Sequence, residues 1–269
     1  MSKTVTDKTS YIKTNKPLYI KNLVARMLHN EEFGAVDFEK WIFQHLSPKP
    51  GAEVMDIACG NGKAIFKLVK MYAGLARVVG VDFAEPAIQS LREQAQALGL
   101  KQVEGVILDM EKLTEHFAGQ RFDHLYSVYG IHYSPRMADI LVQARALLKP
   151  GGSIFVCGPD AFCNTKVMRV ISRYDDILQD PIPPRMLRNF ISEAQLDQLR
   201  QNFARVEVDY LENPIRFPSV DAFMTWWVNH DLYRAHAEDE MRRVVAKEIA
   251  ETGCFTLNKN AMGFTLTTN

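Results

Sequence analysis

The chain reads as an α/β protein built on a parallel sheet with helices on both faces. Three observations predict it. Short apolar runs alternate with amphipathic helical segments from Glu53 to Cys157. The first two runs end on acids, Asp56 and Asp82. A turn of small residues, Ala58-Cys59-Gly60-Asn61-Gly62, joins the first run to its helix. Strand, small turn and helix together bring a backbone close to a nucleotide-like ligand.

The elements follow in order. Met1 to Lys16 is polar and reads as a solvated tail, or as a strap over a ligand with Tyr11, Lys16 and Tyr19 as its contacts. Apolar residues from Leu18 to Leu28 recur at helical spacing, and a second helix follows Asp37 as its cap. Ser47-Pro48-Lys49-Pro50-Gly51 stops that helix. Strands are then predicted at Val54–Ile57, Arg77–Asp82, Val103–Leu108, Phe122–Val128 and Ser153–Cys157. Helices fall at Lys63–Tyr72, Glu85–Leu98 and, capped by Ser134, from Pro135 to Leu148. Pro86 suits a first helical turn. Lys149-Pro150-Gly151-Gly152 reads as a tight turn before the fifth strand.

After Pro159 the alternation lapses. Helices are predicted at Phe162–Tyr174, after the capping box Ser192–Gln195, from Val220 to about Tyr233 behind a Ser219 cap, and at Glu238–Glu251. Val206–Leu211 is a sixth strand, and the stretch around Met262–Leu266 is a last one. This gives a helical N-terminal segment over 1–50 and a core over 51–269. Helical lid insertions lie at about 160–202 and 219–252.

Composition bounds the function. Thirty-two basic and 32 acidic residues give a formal net charge of zero, which offers nucleic acid no general attraction. Four separated cysteines, Cys59, Cys157, Cys163 and Cys254, form no C-x-x-C pair. They point to a reducing compartment rather than a disulfide or zinc framework. No secretory h-region and no bilayer-length apolar run are visible, so the expectation is a cytoplasmic protein with no membrane partner. A nicotinamide fingerprint starting at Gly60 needs a glycine where Ile65 stands.

Several stretches together resemble the class I S-adenosylmethionine-dependent methyltransferases. Val54 to Gly62 looks like that family's first motif. Val79-Gly80-Val81-Asp82 resembles its second-strand acid, Asp109-Met110 its adenine-contacting pair, and Leu147 to Gly152 its turn before strand five. The match runs from about Gly51 to Cys157. Ala58 stands where the family often has glycine. The resemblance implies a seven-stranded Rossmann-like sheet whose last strand is antiparallel. It implies Asp82 on the ribose hydroxyls, Asp109 beside the adenine amino group, and Phe83 and Met110 on the adenine faces. Ala58 and Gly60 would lie along the methionyl part, with Asp56, Gly62 and Ser127 completing the cofactor set. An aspartate at a strand end also serves as an ordinary turn cap.

Methyl transfer from a sulfonium mainly needs alignment, because the cofactor carries the activation. A hydroxyl acceptor also needs a general base. His132, Tyr129 and Tyr133 follow strand four and are the catalytic candidates. His132 has a second reading, as a histidine that packs the next helix. Phe223, Trp226, Trp227, His230 and Tyr233 recur at helical spacing. They read either as core or as the wall of an aromatic substrate pocket. Arg185 and Arg188 would meet an acidic substrate group. Asp160, Asp175 and Asp176 lack strand-end clustering, so no metal is expected. The expected function is methyl transfer from S-adenosylmethionine to O or N of a small natural-product or quinone-like molecule. The alternatives are a protein or RNA methyltransferase and a non-catalytic cofactor-binding scaffold.

Overall fold

The computed structural model describes residues 32–34, 36–160, 163–173, 190–230 and 232–268. The expectations for Tyr11, Lys16, Tyr19, the Leu18–Leu28 helix, Asp175, Asp176, Arg185 and Arg188 fall outside these residues. Two compact units emerge. One comprises Phe38–Gly158, Ile191–Asp209 and Met262–Asn269. The other takes in the described parts of Met1–Asp37, Pro159–Phe190 and Tyr210–Ala261.

The first unit holds the sheet. In chain order its elements are α1 (Phe38–Gln44), β1 (Glu53–Ile57), α2 (Lys63–Met71), β2 (Arg77–Asp82) and α3 (Glu85–Ala97), then β3 (Val103–Ile107), α4 (Leu113–His116), β4 (Phe122–Val128), α5 (Met137–Ala144) and β5 (Leu148–Pro159). The strand order is β3-β2-β1-β4-β5-β9-β6, where β6 is Arg205–Leu211 and β9 is Ala261–Thr267. Seven strands with one antiparallel member are the sheet expected from the sequence. β1 pairs in parallel with both β2 and β4, so strand order reverses at β1/β4. Ligands bind open α/β sheets beyond the strand carboxyl ends at such a reversal.

Burial explains the element types. Central strands buried on both faces read as continuous apolar runs, and β1 and β2 are buried almost throughout. β3, at the sheet edge, is mostly exposed or half-buried. α3 buries Ala87, Ile88, Leu91 and Ala95, one stripe of a 3.6-residue period. Leu91 lies where side chains at three glycines would stand. A Cβ would come within 2.6 Å of it at Gly62 and within 2.9 Å at both Gly80 and Gly105. The missing side chains let α3 settle close onto β2, β3 and the turn after β1.

α1 is fixed to the far half of the sheet by polar contacts. Trp41 Nε1 donates to Asp209 Oδ2 at 2.8 Å, and His45 Nε2 lies 3.1 Å from the same oxygen. The His45 ring stacks on Phe155, with centroids 4.5 Å apart. Asp123 clamps the amino ends of three strands. It accepts from the Glu53 N–H at 2.7 Å and from Lys149 Nζ at 2.9 Å. Burial works against its charge, but these donors hold its carboxyl below the usual range.

Three expectations are corrected in this unit. Lys149-Pro150-Gly151-Gly152 is not a turn ahead of β5 but a bulge inside it. Phe122 pairs with Leu148 and His124 with Ser153, so the four residues 149–152 face one. Gly151 takes φ +75°, the irregular step that lets the strand continue. Ser134 does not cap α5. Its Oγ accepts from the Arg136 N–H at 3.1 Å within the turn before the helix. That helix ends at Ala144, and residues 145–147 tighten into a 3-10 turn.

The second unit contains α6 (Thr165–Ile171), β7 (Pro214–Phe217), α8 (Val220–Trp227), α9 (Glu238–Thr252) and β8 (Phe255–Asn258). β7 and β8 pair antiparallel as a two-stranded sheet that the sequence reading missed. Ser219 caps α8 as expected, its Oγ accepting from the Ala222 N–H at 3.1 Å. The helix stops at Trp227 rather than near Tyr233, because the chain turns back and Trp227 Nε1 donates to the Leu232 carbonyl at 3.2 Å. The remaining helix, α7 (Glu193–Asn202), belongs to the sheet unit and carries the predicted Ser192–Gln195 capping box.

Candidate functional site

The site is built at the carboxyl ends of β1, β2 and β4. The turn after β1 alternates left-handed residues: Ala58 at φ +60°, Gly60 at +55° and Gly62 at +80°. That pattern folds the chain sharply into α2. A Cβ on Gly60 would meet nothing within 4 Å, so the turn opens onto space there.

Asp82, at the end of β2, faces this turn. Its Oδ2 accepts from the Gly60 N–H at 2.9 Å and its Oδ1 from the Ala84 N–H at 2.8 Å. These two backbone donors fix the direction in which the carboxylate is aimed. The Asp82 carbonyl takes the Leu108 N–H at 3.0 Å, which ties the end of β3 to the same edge. Phe83 is half-buried next to it. Asp109 is exposed and accepts from the Glu111 N–H at 3.1 Å, capping the 3-10 turn that Met110 opens.

Asp56 differs from Asp82. It is only 2% exposed, and burial pushes its carboxyl well above the usual range. The Tyr126 hydroxyl opposes that shift and the charge of Asp82 adds to it. The Tyr126 hydroxyl lies against this carboxyl without good hydrogen-bond geometry. Burial, with Asp56 and Asp82 nearby, also pushes the Cys59 thiol up, so it is no ready nucleophile.

The three catalytic candidates stand together after β4. Tyr129 is held at φ +54°, and its N–H donates to the Cys157 carbonyl at 2.9 Å. His132 and Tyr133 sit on a 3-10 turn over Ile131–Tyr133. The His132 ring is 4.5 Å from that of Tyr133 and 6.2 Å from that of Tyr129. All three are half-buried. A non-glycine residue in the left-handed region is strained, and such strain clusters at functional sites.

Ser127 has no surface for a ligand, being 0% exposed. Its expected place in the cofactor set becomes a place beneath it. Its hydroxyl donates to the Ile57 carbonyl at 2.6 Å and accepts from the Ile131 N–H at 3.0 Å. Two further residues were missed. Gly130 packs so tightly that a Cβ would come within 2.5 Å of Ala58 Cβ. A glycine just past a predicted strand end was the available signal. Phe38 brings its ring 5.8 Å from that of Tyr129, and nothing in its apolar stripe distinguishes it from core.

The aromatic set of α8 lies in the other unit. Trp226 and Trp227 are 0% exposed, inside a core with Phe217, Phe223 and Phe255. The His230 ring lies tilted against Trp226 with centroids 4.7 Å apart and accepts from the Leu232 N–H through Nδ1, and the Tyr233 hydroxyl donates to Glu238. Stripe packing thus occupies both tryptophan faces. Among the described residues, no group of three or more His, Cys, Asp or Glu could hold a metal ion. No described helix is long and apolar enough to cross a membrane.

Residues 48–207, more than half of the chain, match the family model of a methyltransferase domain. The chain belongs to that family. A demethylmenaquinone methyltransferase of Bacillus cereus is 29% identical over 106 residues, 39% of this chain and 44% of that protein. The chain thus spans less than half the length of the curated relatives it matches. The YcgJ protein of Bacillus subtilis superposes with a TM-score of 0.60 at 14% identity, covering 86% of this chain and 97% of that one. A Haemonchus contortus phosphoethanolamine N-methyltransferase, solved with phosphomonomethylethanolamine and S-adenosylhomocysteine, gives 0.55 at 16% identity. That match covers 86% of this chain and 52% of the other. Both likenesses are of fold.

Proposed function

We propose that the chain transfers a methyl group from S-adenosylmethionine to an oxygen or nitrogen of a small molecule of natural-product or quinone-like type. The observation that carries this reading is the Asp82 carboxylate, aimed by the Gly60 and Ala84 N–H groups beside the open space at Gly60. A ribose diol needs such an acceptor, and charged acceptors make the stronger bonds. Bound there, the sulfonium supplies an already activated methyl group. Asp82 holds the ribose, the backbone of Ala58 and Gly60 borders the methionyl part, and Phe83, Asp109 and Met110 surround the adenine. Gly62 shapes the turn beneath them. His132 takes the proton of a hydroxyl acceptor, and Tyr129 and Tyr133 orient that acceptor.

Zero net charge favours a small acceptor over a nucleic acid. The demethylmenaquinone relative favours a quinol-like one. Calorimetry with S-adenosylhomocysteine tests the cofactor part. Asp82→Ala should weaken binding at least tenfold, about 1.4 kcal/mol, and unchanged affinity would refute the assignment. Transfer of labelled methyl to a panel of quinols, phenols and small amines tests the acceptor part. Labelling of protein or RNA alone would favour the polymer reading, and tight binding with no transfer would favour a scaffold.

A further inference from the structure

Ser127 joins the two halves of the site through one buried hydroxyl. It donates to the carbonyl of Ile57, the residue directly before the left-handed Ala58. It accepts from the N–H of Ile131, the first residue of the turn that carries His132 and Tyr133. Ile57, Ser127 and Ile131 are all fully buried, so water cannot replace either bond. A second contact runs parallel to this bridge, because Gly130 packs on Ala58 with no room for a side chain. Each strand end also carries a strained residue, Ala58 at φ +60° and Tyr129 at φ +54°. Such conformations persist only where the surroundings hold them.

We infer that Ser127 is a positioning residue that transmits occupancy of the cofactor turn to the turn bearing His132. Resting on the cofactor reading above, this means that cofactor binding rigidifies Ile131–Tyr133 before any acceptor arrives. The hydroxyl touches neither cofactor nor acceptor. It makes the turn after β1 and the turn after β4 move as one piece, so ordering one orders the other.

Amide hydrogen exchange of the full chain, with and without saturating S-adenosylhomocysteine, tests this without knowledge of the acceptor. In the natural protein the ligand should slow exchange over 58–62 and over 130–134 with one shared titration midpoint. The slowing at 130–134 should be roughly 5–150-fold, the usual range of coupling between sites. In Ser127→Ala the ligand should still protect 58–62, while its effect on 130–134 shrinks to less than about twofold. A merely structural serine would raise exchange equally in both states and leave the ligand-induced ratio unchanged; that result overturns the proposal. Ser127→Cys, which fills the site but donates weakly, should fall between the two. The natural protein decides the matter even if the alanine variant does not fold. Protection of 58–62 with 130–134 untouched overturns the coupling alone. Protection of neither segment overturns the cofactor reading and the coupling with it.

Discussion

Gly130→Ala probes how tightly the two turns of the site are pressed together. The backbone at Gly130 has φ −114° and ψ −54°, outside the left-handed region that bars a side chain, so the main cost is steric. A new Cβ would lie 2.5 Å from Ala58 Cβ, 2.9 Å from the Ala58 carbonyl oxygen and 3.2 Å from Ser127 Oγ. Carbon atoms pack at about 3.5–4.0 Å, so the first contact is about 1 Å short. Overpacking of this kind costs about 1–3 kcal/mol. Ala58→Gly should be nearly neutral, within about 0.5 kcal/mol. Relief of a left-handed alanine gains about 1 kcal/mol, and the freer unfolded glycine gives back a similar amount. The double variant then removes the worst contact, so the pair should couple by about 0.5–3 kcal/mol. Rescue stays incomplete because the Ala58 carbonyl oxygen is still in the way. Urea unfolding of the ligand-free chain measures all four corners of the cycle. Additivity within about 0.3–0.5 kcal/mol would refute the contact as the cause.

The other expectations are briefer. His132→Ala should lower turnover on a hydroxyl acceptor by about 100-fold or more while leaving S-adenosylhomocysteine affinity unchanged; equal turnover across pH removes His132 from proton transfer. Asp56→Asn should flatten the pH dependence of apo stability. Burial raises the folded Asp56 carboxyl well above the ordinary aspartate value of 3.8, so folded chains keep a proton that unfolded chains release. Stability is therefore full below that value and declines as pH rises towards the folded one, with a slope of at most about 1.4 kcal/mol per unit. Thermal melts taken upward from about pH 4 should show the decline in the natural protein and lose it in the variant. Trp227→Ala should cost about 3–5 kcal/mol of stability, read by denaturant midpoint; a loss under about 1 kcal/mol contradicts its place in the core.

Legibility in the sequence followed how local each determinant was. β2 was legible to the residue, since Val78–Val81 is a buried apolar run closed by an acid. The Ser192 and Ser219 caps were legible because capping is decided within four residues. Pro150-Gly151-Gly152 misled because those residues also suit a bulge, and only pairing with β4 distinguishes bulge from turn. β7 escaped because it is four residues long and takes its identity from β8, about 40 residues away. In the site, Asp82 announced itself by its strand end. Ser127 was expected in the cofactor set, but its bridging role was not legible, because its two partners come from β1 and from the following turn, and no spacing encodes that meeting.

Leu91 sets a rule about which sequences this fold tolerates. One γ-branched side chain defines the space at Gly62 in the turn, Gly80 in a central strand and Gly105 at the sheet edge. These positions are separated by up to 43 residues, yet an added side chain at any of them forces the same leucine to shift. Trimming it to alanine would cost about 2–5 kcal/mol and would relax Gly105 most. Gly80 would still be confined by Ile65 and Cys59, and Gly62 would still need its φ of +80°. Relatives that carry a small residue at position 91 are therefore the ones in which an alanine at position 105 is expected. A designer who wishes to place side chains at these glycines has to begin on the outer helix rather than in the turn.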